Sequence, residues 1–111
     1  MRSKYYNKKV IYDGISFDSQ KECKRYKVLK FREKAGEIMC LELQPKFLLQ
    51  ETFKANGETH RAISYKADFK YFDILENKLI VEDVKGFITD VYKIKKKLFL
   101  YKYPGICFIE M

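Results

Sequence analysis

The segment Leu79-Ile80-Val81-Glu82-Asp83-Val84-Lys85-Gly86 constrains the fold of this chain most. It begins apolar on both faces, as a strand does in the middle of a sheet covered from two sides. It ends in charges, so a buried strand delivers ionisable side chains to one end of that sheet. Side chains two apart on a strand project together, which places Asp83 with Lys85 and turns Glu82 to the opposite face. A carboxylate and an ammonium at the end of a buried strand form either a structural ion pair or a pair put to use, and three residues alone do not decide between them.

The preceding strand carries the next signal. Residues 63 to 72 alternate, with Ile63, Tyr65, Ala67, Phe69 and Tyr71 on one face and Ser64, Lys66, Asp68 and Lys70 on the other. A hairpin between the two strands brings Asp68 next to Asp83. Converging carboxylates repel, and a structure that keeps both ionised usually holds a divalent cation between them; otherwise Asp68 is a solvated charge between two lysines. Oxygen ligands without histidine or thiolate favour Mg²⁺ or Mn²⁺ over zinc. Ser19-Gln20-Lys21-Glu22 has the capping-box pattern, in which the Ser19 hydroxyl and the Glu22 carboxylate satisfy each other's free backbone donors, and it opens a helix expected from Ser19 to Ala35 with a stop at Gly36. Glu22 shares a helix face with Tyr26 and Leu29, so it is a third candidate acid, although capping explains it equally well.

The remaining pattern completes an α/β chain. Val10-Ile11-Tyr12 and Ile15-Ser16-Phe17 flank Asp13-Gly14, a tight-hairpin signal. Extended segments are expected at 38 to 43 and 47 to 53, separated by Gln44-Pro45. Thr89 or Asp90 caps a second helix running to about Tyr103, whose stripe of Val91, Ile94, Leu98 and Tyr101 is expected to face the core. Ile106 to Ile109 reads as a last, buried strand. The expected architecture is a mixed sheet of about four core strands flanked by helices, plus the N-terminal hairpin, in one domain over 10–111 that follows a basic arm over 1–9.

Charge points to the partner. The 111 residues carry 23 Lys plus Arg against 15 Asp plus Glu, a formal net charge of +8, which suits a polyanion. Arg2, Lys4, Lys8 and Lys9 on the arm and Lys93, Lys95, Lys96 and Lys97 on the second helix are candidate phosphate contacts, the alternative for the helix being a solvated face. Tyr5 and Tyr6 either stack on bases or pack. Three scattered cysteines without a CxxC pair fit neither a disulfide framework nor a zinc knuckle, and a single histidine, His60, excludes chemistry that needs two imidazoles. With no apolar stretch of signal-peptide or membrane-spanning type, the expectation is an intracellular soluble protein with no membrane partner.

Taken in order, helix, three strands, helix, strand, with Glu22 on the first helix, Asp68 on the second core strand and Asp83-Val84-Lys85 on the third, the chain resembles the PD-(D/E)XK nuclease superfamily over residues 19 to 110. Ala67 stands where the nominal proline would be. Tyr12-Asp13-Gly14, Phe17-Asp18-Ser19, Gln44-Pro45 and Val84-Lys85-Gly86 are similar to a branch of small phage-encoded members, and some short members are Holliday-junction resolvases. The resemblance implies a restriction-endonuclease-like αβββαβ core and Mg²⁺- or Mn²⁺-dependent hydrolysis of DNA phosphodiesters, on branched DNA, in phage recombination or replication within the bacterial cytoplasm. It implies that Asp68, Asp83 and the Val84 carbonyl hold the metal, with Glu22 as a direct or water-mediated ligand, and that Lys85 orients water or stabilises developing charge. A homodimer is expected because a four-way junction offers two symmetry-related phosphodiesters. The competing expectations are a non-catalytic nucleic-acid-binding accessory protein of a phage recombination module, and a structural interaction protein without salt-sensitive DNA binding.

Overall fold

The computed structural model describes residues 9–111; Arg2, Lys4, Tyr5, Tyr6 and Lys8 of the expected arm lie outside them. Along the chain come β1 (Val10–Tyr12), β2 (Ile15–Phe17), α1 (Gln20–Lys34), β3 (Ile38–Leu43), β4 (Lys46–Gln50), β5 (Phe53–Ala55), β6 (Glu58–His60), β7 (Ile63–Lys66), β8 (Phe69–Asp73), β9 (Lys78–Asp83), α2 (Asp90–Lys102) and β10 (Cys107–Glu110). The result is an α/β molecule with a mixed four-stranded sheet ordered β10-β9-β8-β3, two helices and an N-terminal hairpin. β10 runs parallel to β9, while β8 is antiparallel to both β9 and β3. β9 is interior, as its apolar start requires.

Adjacent residues of β9 build the two cores. Ile80 packs with Phe69, Tyr71 and Ile38 of the sheet and with Cys23, Tyr26 and Leu29 of α1. Val81 faces the other way, among Phe47, Tyr65 and Ala67 and Tyr92 and Phe99 of α2. The helices therefore cover opposite faces, and Phe99, Leu29 and Val81 are completely buried. Asp13 and Gly14 both have positive φ, 58° and 75°, as the tight turn between β1 and β2 demands.

Four sequence expectations are corrected. The run from 63 to 72 is two strands rather than one: β7, paired with β4, and β8, in the four-stranded sheet, are separated at Ala67-Asp68, opposite a matching break at Gln44-Pro45 between β3 and β4. Backbone bonds from the Gln44 N–H to the Asp68 carbonyl (2.9 Å) and from the Ala67 N–H to the Pro45 carbonyl (3.0 Å) carry the ribbon through the bend. Tyr65 and Ala67 consequently belong to the α2 core and Phe69 and Tyr71 to the α1 core. The segment expected at 47 to 53 likewise divides, its end forming a separate β5–β6 hairpin around Asn56-Gly57.

The α2 stripe is also reversed. Tyr92 and Phe99 are buried, while Val91, Ile94, Leu98 and Tyr101 are exposed. The rings fill more of the space between helix and sheet than the aliphatic stripe could, and Phe99 meets Phe47, Tyr65, Tyr103 and Phe108 at centroid distances of 4.8 to 5.6 Å. The last strand, β10, is a half-buried edge rather than a buried strand, because it pairs on one side only.

Candidate active site

Two strands and one helix end converge where β9 runs out. Asp83 is its last residue, and Asp68 directly precedes β8, whose first residue, Phe69, is in register with Glu82. The Asp68 N–H donates to the Glu82 carbonyl at 3.1 Å, and the Val84 N–H donates to Asp68 Oδ2 at 2.6 Å. Asp68 is thus pinned to the β9 terminus by backbone at one end and side chain at the other. The bend at 67–68 is what frees its carboxylate from a ladder position and aims it at that terminus.

Asp83 is fully buried, accepts a hydrogen bond from the Tyr65 hydroxyl and lies 3.2 Å from Lys85 Nζ through Oδ1. The Lys85 ammonium in turn sits 4.2 Å from the centroid of the Tyr92 ring, a cation–π contact that holds it at the sheet end. Glu22 comes from the first turn of α1. The Ser19 hydroxyl accepts from the Glu22 N–H at 3.1 Å, but the Glu22 carboxylate accepts from the Asp18 N–H at 3.2 Å rather than from Ser19, so the expected reciprocal box is displaced by one residue. That shift leaves the buried carboxylate within electrostatic reach of Asp68 and Asp83.

Three acids in one neighbourhood disturb one another. Burial, together with the charges of Glu22 and Asp83 and against the Val84 N–H, pushes the Asp68 carboxyl up to about 7. Burial also raises Glu22, partly offset by the Asp18 N–H. Burial and then Asp83 push the Tyr65 phenol up, so it stays a donor at neutral pH.

Glu82 is on the other face. It is completely buried, takes Arg25 Nε at 2.7 Å and Nη2 at 2.6 Å, and accepts from the Tyr71 hydroxyl. Its lone pairs are committed within the α1 core, which leaves Asp83 as the acid of the site.

Beside Lys85 opens a cleft of about 460 Å³ whose lining includes Lys46, Lys66, Lys85 and Lys95 with Tyr65 and Tyr92. Lys46 and Lys66 face each other in register across β4 and β7. The sequence reading missed both, because each is one charge on a separate strand and only the pairing of β4 with β7 joins them. Among the expected phosphate contacts, Lys95 lines this cleft and Lys93 and Lys97 are exposed. Lys96 is committed elsewhere, to Glu110 at 2.8 Å and the Phe108 ring, and Lys9 lies on the surface 3.6 Å from Asp18.

A family model described as "Protein of unknown function (DUF1064)" matches residues 2–109. The chain belongs to the DUF1064 family. No curated protein and no solved structure matches it. The DUF1064 match spans every residue of the site, from Glu22 to Lys95.

The fit of a divalent cation to this DUF1064 site can be judged from its donors. Among the described residues, no three His, Cys, Asp or Glu side chains are gathered closely enough to hold one ion. Asp68 and Asp83 form a two-carboxylate, all-oxygen set with mutual repulsion, and Mg²⁺ is commonly held by one or two carboxylates with water and phosphate oxygens filling the remaining positions. Asp68 and Asp83 are thus of the donor type that Mg²⁺ or Mn²⁺ takes.

Proposed function

We propose that this protein is a metal-dependent endodeoxyribonuclease of the PD-(D/E)XK kind, with α1, β3, β8, β9, α2 and β10 as its αβββαβ core and branched DNA as its substrate. The observation that carries the reading is the meeting of Asp68, Asp83 and Lys85 at the end of an interior strand, beside a cleft with four lysines. Burial first, and the charges of Glu22 and Asp83 after it, push the Asp68 carboxyl up to about 7, and a carboxyl so placed supports the reading of a site that loads a cation.

Mg²⁺ or Mn²⁺ supplies charge neutralisation at the scissile phosphate and a more acidic water. Asp68, Asp83 and the Val84 carbonyl would hold the cation, with Glu22 as an additional direct or water-mediated ligand. The Tyr65 hydroxyl fixes the orientation of Asp83, and the Lys85 ammonium, steadied by Asp83 and the Tyr92 ring, is available to orient water or meet charge developing on the phosphate. Lys46, Lys66 and Lys95 bind the phosphates of the strand that enters the cleft, without reading bases.

Calorimetric titration with Mg²⁺ near pH 7 tests this. A loading site binds one or two ions and releases a proton, because the Asp68 carboxyl is partly protonated there, and the heat then depends on the ionisation enthalpy of the buffer. Asp68→Asn should remove the released proton and most of the affinity. A nucleic-acid-binding accessory protein, the competing reading, gives no saturable Mg²⁺ heat.

A further inference from the structure

The helix α1 buries Glu22, Cys23, Tyr26 and Leu29 and turns Lys24, Lys27, Phe31 and Lys34 to solvent. At the helical repeat these four exposed residues fall within a sector of about 80°. The other basic groups in the body of the helix are spoken for: Arg25 holds Glu82, Arg32 bridges Glu37 and Asp73, and Lys30 pairs with Glu33 at 2.9 Å. Lys24, Lys27 and Lys34 form no ion pair among the described residues. Lys24 with Lys27, and Lys30 with Lys34, are like charges at helix-neighbour spacing, an arrangement that costs helix stability until an anion joins it.

Between this face and the turn from β1 to β2 lies a groove of about 300 Å³, lined by Tyr12, Asp13, Lys27, Lys30, Phe31 and Lys34. Asp13, the one acid in the lining, already accepts from the Tyr26 hydroxyl at 3.0 Å. The Lys27 ammonium stands 4.5 Å from the centroid of the Tyr12 ring, and that ring meets Tyr26 edge-on at 6.2 Å, so Tyr12 and Lys27 hold each other in place. Phe31, exposed to 71%, has no ring partner among the described residues. The groove therefore offers one bare flat ring among ammonium groups.

We propose that this groove binds single-stranded nucleic acid, with one base stacked on Phe31 and the flanking phosphates on Lys27 and Lys34. An unpaired nucleotide presents both a flat apolar face and an anion, which is the combination the groove matches. A duplex keeps its base faces stacked inside and would meet the lysines alone, leaving Phe31 uncovered. The surface lies on the α1 side of the sheet, whereas the four-lysine cleft lies on the α2 side. Phe31 is nine residues beyond Glu22, about 14 Å along the helix axis. Lys24 stands between them, and Lys21, whose ammonium donates to the Lys85 carbonyl at 3.4 Å, continues the basic face to the end of β9. The inference does not rest on the nuclease reading, since binding here needs neither metal nor cleavage.

Fluorescence anisotropy in EDTA, with a labelled thymidine oligonucleotide and a duplex of the same length, tests it. Phe31→Ala should weaken binding of the single strand about fivefold or more and change duplex binding less than about twofold, and Phe31→Tyr should bind as wild type does. Replacing Lys27 and Lys34 together by Ser should lower the salt slope for the single strand by about 1.4, the share of two phosphates. An oligonucleotide carrying 5-iododeoxyuridine should photocrosslink to Phe31, as mapped by mass spectrometry. Unchanged single-strand affinity in Phe31→Ala, an equal loss on single strand and duplex, or crosslinks that leave Phe31 untouched would overturn the proposal. So would a Phe31→Ala protein that loses binding to phosphatidylserine vesicles while holding the oligonucleotide as before, which assigns the face to a membrane surface.

Discussion

Replacing Asp68 with Asn in metal-free protein at pH 8 should stabilise the fold, although it removes a charge from the centre of the proposed site. In the native state the Asp68 carboxyl is pushed from its ordinary 3.8 up to about 7, chiefly by burial and by the charges of Glu22 and Asp83. Between those two values the folded chain binds more protons than the unfolded one, so this group makes stability fall as pH rises through that window, and above about 7 the penalty is complete. The full interval corresponds to a ceiling of about 4 kcal/mol. Partial exposure of the group and the sharing of charge among three acids reduce this to about 1–2 kcal/mol. Asn keeps an oxygen for the Val84 N–H, so the substitution removes the charge without orphaning that donor. Urea unfolding in EDTA at pH 5 and pH 8 measures the difference. The variant should gain at pH 8 by that amount, equivalent to about 5–10 °C in Tm, and gain little at pH 5. Adding Mg²⁺ at pH 8 should stabilise wild type and leave the variant unmoved. An Asp68→Asn protein that is less stable than wild type at pH 8, or equally altered at both pH values, would refute the electrostatic reasoning.

Arg25→Ala should destabilise the chain by about 3 kcal/mol, because it leaves the fully buried Glu82 without its bidentate partner; equilibrium unfolding checks it, and a loss below 1 kcal/mol would mean that Tyr71 alone suffices for Glu82. Removing Lys46, Lys66 and Lys95 together should weaken DNA binding and flatten its dependence on salt by about three phosphate contacts, read from affinities at several salt concentrations. Removing Lys96 should change that slope less than removing Lys95, since its ammonium is already spent on Glu110.

The parts of this structure legible in the sequence are those set by local chemistry. Asp13-Gly14 forms its turn, Ser19 and Thr89 accept from the N–H groups of Glu22 and Tyr92, and the period-two pattern of β9 separates Asp83 from Glu82 as strand geometry requires. What was illegible depends on partners distant in sequence. Nothing in Ile63 to Phe72 announces the bend at Asp68; it follows from the opposing break at Gln44-Pro45. On α2 the helical period fits two apolar faces, and periodicity cannot say which one is buried; the aromatic packing of Phe99 decides. The cleft pair Lys46 and Lys66 exists only once β4 pairs with β7.

The central claim, that Asp68, Asp83 and Lys85 form a hydrolytic site, is tested most directly by incubating the protein and its Asp83→Asn variant with linear, nicked, flapped and four-way DNA in Mg²⁺. The account predicts cleavage by wild type, strongest on the four-way substrate, none in EDTA, and a loss of at least about 10³ in rate for Asp83→Asn, with DNA binding retained or tightened because a repulsive charge is gone. Tight, salt-sensitive binding of every substrate with no cleavage of any would contradict it, as would an Asp83→Asn protein that cuts as fast as wild type.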